Sequence, residues 1–529
     1  MRNAGSWTRC LLLVASTTFP AVILPPPAWA GGASLIQEVK HDVSPPLREL
    51  ANAAKATSGG HQAPVAKPTG PEFTSSLPDP VAHVPSGAPV NVTVNVNSDG
   101  QSDDDNATFV GFPVVPPDTN GAVGADQFVQ WVNLVYTVYD KATGARVLGP
   151  LPGNNFWLGF GGPCETHNDG DPIIEYDKAA GRWVAAQPVF SPPFMYCLAI
   201  STTSDATGSY NRYAFGFPAA NDLPDYPKLG VWPDGYYASF NIFNGGSFAG
   251  AMACAYDRTN MLAGNPARPA ICFQQPTSIG SLLPSDLDGK TLPPSGAPNF
   301  FLDIADSTHL NLFKFHVDFG NPANATFAGP SLISVAPFSE LCARATNRSC
   351  IPEPSPGEKV DSLGDRLMYR LPYRNFGDHE SLVVTHSIEG GALAGARWYE
   401  IRNPNSAPAV FQQGTVVDPS LDYWMGSIAM DHVGNIALGF SVSSDTVDPS
   451  VAIVGRTPTD QLGTMEAPLY LVDGTGVQVK SFKRWGDYSS MAIDPTDDCT
   501  FWYTQEHYRT TGSFNFTTRI SPFKFPSCH

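Results

Sequence analysis

Five times along this chain a short apolar run ends on an aspartate that opens a turn, and a second apolar or aromatic run follows. Asp126 follows Asp118-Thr-Asn-Gly-Ala-Val-Gly, Asp177 follows Asp171-Pro-Ile-Ile-Glu-Tyr, and Asp234 follows Tyr226-Pro-Lys-Leu-Gly-Val-Trp-Pro. Asp431 follows Met425-Gly-Ser-Ile-Ala-Met, and Asp494 follows Tyr488-Ser-Ser-Met-Ala-Ile. The runs beyond the turns include Arg182-Trp-Val-Ala-Ala, Tyr236-Tyr-Ala-Ser-Phe and Cys499-Thr-Phe-Trp-Tyr. Apolar runs of this length between turn residues are strands, and an Asp side chain fixes a tight turn by accepting nearby amide hydrogens. Asp140-Lys-Ala-Thr-Gly144 and Asp177-Lys-Ala-Ala-Gly181 repeat one turn, closing on a Gly that can take positive φ.

Most of these aspartates fall roughly 50–60 residues apart, a step that suits one small antiparallel sheet plus loops. The gap from Asp234 to Asp431 is about three such steps. Two further units fill it: Asn299-Phe-Phe-Leu-Asp-Ile with Leu310-Asn-Leu-Phe-Lys-Phe, and Asp365-Arg-Leu-Met-Tyr-Arg with Glu380-Ser-Leu-Val-Val-Thr-His. The expected fold is all-β, a seven-bladed β-propeller, with six or eight blades as the alternatives. The 48 Gly and 50 Pro favour turns and strands over helix interiors.

The flanks read differently. Arg2 and Arg9, an apolar stretch from Leu11 to Leu24 and Ala28-Trp29-Ala30 make residues 1–30 a signal peptide, so a secreted, extracellular protein is expected. Residues 31–105 read as a disordered low-complexity leader with a helix-capable piece at 34–40, and residues 106–529 as the propeller domain. Eight cysteines remain after the signal, and as sequence-local couples they pair Cys164–Cys197, Cys254–Cys272, Cys342–Cys350 and Cys499–Cys528. The net charge of −18 excludes nucleic acid and anionic membranes as natural partners. No membrane insertion is expected, and the chain is expected to be a monomer. Asn91, Asn106, Asn324, Asn347 and Asn515 open glycosylation sequons.

In a propeller the loops leading into the innermost strands share one rim. Here they carry Asp118 and Asn120, His167, Asp169 and Asp171, Asp225, Tyr226 and Lys228, Arg366, Trp424, and Trp485, Asp487 and Tyr488, with His379 nearby. Convergent carboxylates beside aromatic platforms suit sugar chemistry: one acid protonates the leaving oxygen, and a second attacks or activates water. Asp118, Asp169, Asp171, Asp225, Asp487, Tyr488, His167 and His379 are the catalytic candidates, and Arg366, Lys228, Tyr226, Trp424, Trp485 and Asn120 the substrate-binding ones. Asp169 and Asp171 also supply hard oxygen donors for a structural calcium, while no cofactor is required. Each has a plainer reading: a rim Asp can simply fix a turn, a His can be a fixed polar residue, and Trp424 and Trp485 can be packing between blades. Arg366, Arg370 and Arg374 are evenly spaced on one strand face, as an anion site or as ion pairs to neighbouring Asp residues.

Gly170-Asp-Pro-Ile-Ile-Glu-Tyr-Asp177, Ser427-Ile-Ala-Met-Asp-His-Val-Gly-Asn435 and Ser490-Met-Ala-Ile-Asp494 resemble repeats of sialidase-superfamily (BNR-like) propellers. The stretch from about 110 onward resembles large secreted bacterial propeller proteins, mostly of unassigned activity. The S-x-D-x-G-x-T-W box of true sialidases is missing; Thr203-Ser-Asp-Ala-Thr-Gly-Ser-Tyr210 has its Gly displaced. The resemblance therefore implies the fold and not the activity. The functional expectation is a carbohydrate-active protein, a glycoside hydrolase or polysaccharide lyase acting on an extracellular polysaccharide or glycoconjugate. The alternative is a non-catalytic propeller that binds glycan or protein.

Overall fold

The computed structural model describes residues 32–53, 72–217, 219, 221–345, 348–480 and 483–529; the expected signal lies outside them. Strands take 48% of the chain and helices 7%, so the protein is all-β. Among the described residues, seven antiparallel meanders follow one another. Their first strands are Thr119–Val123, Ile173–Asp177, Asp222–Trp232, Leu283–Leu287, Leu371–Asn375, Asp422–Met430 and Ser490–Ile493. Each first strand neighbours the next, and Ser490–Ile493 lies against Thr119–Val123.

Every junction carries a specific bond. Asn120 Oδ1 accepts from Ile174 N–H at 2.6 Å, Asp171 Oδ2 from Tyr226 N–H at 3.0 Å, and Asp286 Oδ1 from Val231 N–H at 2.8 Å. Leu283–Leu287 and Leu371–Asn375 pair in parallel and fuse the fourth and fifth meanders into one sheet. Ser427 Oγ donates to Tyr369 O at 2.9 Å and accepts from Met491 N–H at 3.0 Å. Ser490 Oγ donates to Gly121 O at 2.8 Å. Small hydroxyl and amide side chains do this because neighbouring first strands approach closely: a Cβ on Gly230 would come 2.5 Å from Ser285 O on the next first strand.

The turns behave as read. Asp140 Oδ1 accepts from Thr143 N–H and Asp177 Oδ1 from Ala180 N–H, with Gly144 and Gly181 at φ 70° and 66°. All four expected disulfides are formed, as suits a chain folding in an oxidising compartment. No helix among the described residues is long and apolar enough to cross a membrane.

The leader is the main correction. Its described parts are ordered, and residues 34–43 form strands rather than a helix. Ser34–Ile36 pairs with the edge of the third meander and Glu38–Val43 with the edge of the second. Ala82–His83 joins the fifth, and Thr93–Val94 and Ser98–Ser102 join the seventh. The seventh meander has only three strands from its own stretch of chain, so this segment supplies its outer edge. Composition missed it because these strands bury little core of their own; they satisfy backbone groups on edges that already exist. The expected boundary at 105 falls inside the helix Asp103–Val110.

Candidate functional site

A left-handed residue recurs at the start of the first strands. Asp118 (φ 47°), Asp171 (48°), Tyr226 (53°), Ser281 (51°), Met425 (54°) and Asp487 (62°) occupy it in six meanders. At Tyr226 and Met425 the ladder slips register. Such kinks re-aim the side chains around them. Recurrence shows that this is a device of the repeat, and it gathers side chains from distant stretches of sequence at one end of the first strands.

Asp118, Asp171, Asp225 and Asp487 meet there with Lys228, Arg366 and Arg484, close enough to perturb one another's ionisation. The Lys228 ammonium lies 3.4 Å from the Tyr226 ring centroid and 4.2 Å from that of Tyr488, and donates to Pro227 O at 2.8 Å. Arg366 pairs with Asp365 and covers the Tyr226 ring at 4.6 Å. Asp487 pairs with Arg484, and its carbonyl accepts from Tyr226 OH at 3.1 Å. Asp118 Oδ2 accepts from Asn133 Nδ2 at 2.8 Å. Asp225 Oδ1 has no hydrogen-bond donor among the described residues.

Burial, together with Asp171 and Asp487, pushes both Asp118 and Asp225 well above the usual carboxylate range. Burial raises Asp171 to about 6 against the pull of Lys228. It lowers Lys228 to about 7 against Asp171, Asp487 and Asp118. The set thus holds raised carboxyls at Asp118, Asp171 and Asp225 beside a lowered amine; the four aspartates, Lys228 and Arg366 are buried, and Arg484 is half-buried.

The remaining candidates lie elsewhere. Asp169 accepts from Phe190 N–H at 2.8 Å and stands near His167, which bonds to Pro163 O and Thr166. Asp169 and Asp171 turn to different backbone partners, the N–H groups of Phe190 and Tyr226. His379 sits in the turn after Leu371–Asn375, bonded to Asp378 at 2.7 Å and stacked on Phe376; it belongs to the opposite end of the strand. Trp424 and Trp485 are fully buried, 5.8 Å apart, with Trp485 stacked on Tyr508, so they are packing and not open platforms. Asn120 Oδ1 accepts the junction bond, and its buried Nδ2 has no hydrogen-bond partner among the described residues. The three evenly spaced arginines form ion pairs: Arg366 with Asp365, Arg370 with Asp286, Asp288 and Glu175, Arg374 with Asp498.

Sequence reasoning missed a second polar layer along the same first strands. Glu175, Asp286 and Asp288 share Arg370 and Lys178, and Tyr369 OH donates to Glu175. Three carboxylates against two cations leave one in excess, and Glu175 is the one raised, to about 8, by burial and by Asp286. Arg484 and Asp303 were also missed; the Arg-Trp-Gly-Asp tetrapeptide was the only signal for Arg484.

No family model matches the chain, and no curated protein matches it. Solved structures show remote likeness. The Penicillium chrysogenum alpha-L-arabinanase complexed with arabinobiose is 10% identical, over 83% of this chain and all of that one, at a TM-score of 0.36. The Hadza microbial sialidase Hz136 is 11% identical over 76% and 74%, at 0.36. The WD40 domain of SCAP from fission yeast is 9% identical over 76% and 82%, at 0.32. At such distances the site has to be read from its own residues.

Proposed function

We propose that the protein is an exported, extracellular seven-bladed β-propeller that cleaves a polysaccharide or glycoconjugate, by hydrolysis or elimination, at the axial cluster. The blade count rests on seven meanders whose first strands neighbour one another in order, with the last against the first. The functional reading rests on one observation: four carboxyls from four meanders converge with Lys228 at one end of those strands. Packing an axis needs no such set. Apolar residues of similar volume would fill it at lower cost, and perturbed titratable groups concentrate at functional sites. In this reading Asp118 or Asp225, held protonated, gives a proton to the leaving oxygen, and Asp487, steadied by Arg484, is the second carboxylate. Lys228 and the tyrosines orient the sugar. The acidic surface argues against nucleic acid as a partner, and a monomer suffices because all parts of the site come from one chain.

The depth of the cluster favours a second reading, a propeller that binds glycan or protein without turnover, in which the buried charges fix blade order. The purified protein, incubated with a panel of neutral and acidic polysaccharides, separates the two. New reducing ends or unsaturated termini support the enzyme; binding without either supports the second reading.

A further inference from the structure

Beside the axial cluster, lined from the third and fourth meanders and from the segment before the fifth, lies a cavity of about 40 Å³. Asp303 lines it from the strand Asn299–Asp306, 3% exposed, and its Oδ1 has no hydrogen-bond partner among the described residues. Leaving a buried carboxyl oxygen unmatched costs on the order of 1–3 kcal/mol, so the fold keeps an acceptor there at a loss. Ser281 contributes a hydroxyl, and Arg348 and Arg366, joined through Asp365, close one side. Two half-buried rings, Phe73 and Phe248, are part of its lining. Gly280 lies beneath Phe248, since a Cβ there would come 3.2 Å from Phe248 Cζ. Phe73 belongs to the N-terminal segment, held by its carbonyl accepting from Glu340 N–H at 2.6 Å and by Ser75 N–H donating to Ser339 Oγ at 3.0 Å.

We infer that this cavity is a sugar subsite, taking the hydroxymethyl arm of a neutral hexose onto Asp303 while the ring lies across Phe248 and Phe73. The volume sets the class: about 40 Å³ admits a hydroxyl-bearing carbon or a water, and no whole ring. Charge sets it too. Arg348 and Arg366 are already matched by Glu340 and Asp365, so no cationic excess calls for an acidic sugar. Aromatic faces with a hydrogen-bonding floor suit a pyranose. Arg366 also covers Tyr226, which puts the subsite next to the axial carboxyls, and the inference rests on the function proposed above.

The test uses the full secreted chain, cellotetraose, maltotetraose and galactotetraose as probes, and the 6-deoxy form of whichever probe binds. Binding is measured by titration calorimetry and saturation-transfer NMR. The expected result is binding of at least one probe, weakened tenfold or more by Asp303→Leu, by Phe248→Ala and by loss of the 6-hydroxyl. Removing that hydroxyl should cost nothing further in Asp303→Leu, and Asp303→Asn guards against misfolding by keeping the shape. No binding by any probe, or equal binding by wild type and both variants, overturns the inference. The two proposals fail separately. Turnover whose KM ignores Asp303 and Phe248 removes the subsite and leaves the enzyme; Asp303-dependent binding without turnover removes the enzyme and leaves the subsite.

Discussion

Glu175→Gln is the substitution whose effect the structure fixes most fully. The carboxyl is buried beside Asp286, shares Arg370 at 3.3 Å with two other carboxylates, and accepts from Tyr369 OH. Its folded value is about 8, against 4.5 for the free group. Between these values the folded state holds a proton that the unfolded chain releases, so stability falls as pH rises through that window. At about 1.4 kcal/mol per pH unit the loss is about 3 kcal/mol at pH 7 and about 5 kcal/mol at pH 8 and above. Gln keeps an oxygen for Tyr369 and cannot ionise, while Arg370 retains Asp286 and Asp288. The variant should therefore match wild type near pH 4.5 and exceed it increasingly above. In a chain of this size about 3 kcal/mol is a rise in Tm of about 3 °C. Thermal or urea unfolding at pH 5, 7 and 8.5, with disulfides intact, reads the difference. A pH-independent difference, or a variant less stable at pH 8.5, would refute the charge count in this layer.

Three other outcomes follow from packing and topology. Gly439→Ala should lose about 1–3 kcal/mol in urea unfolding, because the added Cβ would meet the buried Tyr503 ring at 2.4 Å. Replacing Cys499 and Cys528 together by Ser should cost about 3–4 kcal/mol from the 29-residue separation they close, seen as a lower urea midpoint. A chain beginning at residue 106 should aggregate on size-exclusion chromatography, since it bares the edges of the second, third, fifth and seventh meanders; a well-behaved monomer would mean the N-terminal strands are dispensable.

The repeat was legible in the sequence because each Asp turn is a local motif: Asp177 and Gly181 carry their turn within five residues, and three of the four cysteine couples lie in single loops or hairpins. Of the N-terminal strands, Thr93–Val94 lies in Val90–Val96, whose alternation of apolar and polar residues marks a strand, but Ser98–Ser102 is specified by an edge more than 400 positions away and nothing in its own pattern records it. The first strand of the fourth meander, Leu283–Leu287, lacks the Asp turn and was hidden for that reason. At the site, Asp118, Asp171, Asp225, Asp487, Tyr226, Tyr488, Lys228 and Arg366 gather at one end of the first strands, because the order of those strands brings them there. Asp169, His167, His379, Trp424 and Trp485 lie apart from that cluster, because residue type does not reveal side-chain direction. A Trp before a strand looks the same whether it lines a channel or, like Trp485 against Tyr508, fills a seam between blades.

The most direct test of the axial cluster is the turnover of Asp118→Asn, Asp225→Asn and Asp487→Asn on the best polysaccharide from the panel, beside Asp126→Asn at a far-end turn. Loss of an acid or of the second carboxylate should cut kcat by about 10²–10⁴-fold, with the Asp126 variant near wild type. Axial variants that cleave as fast as the wild type would contradict the account.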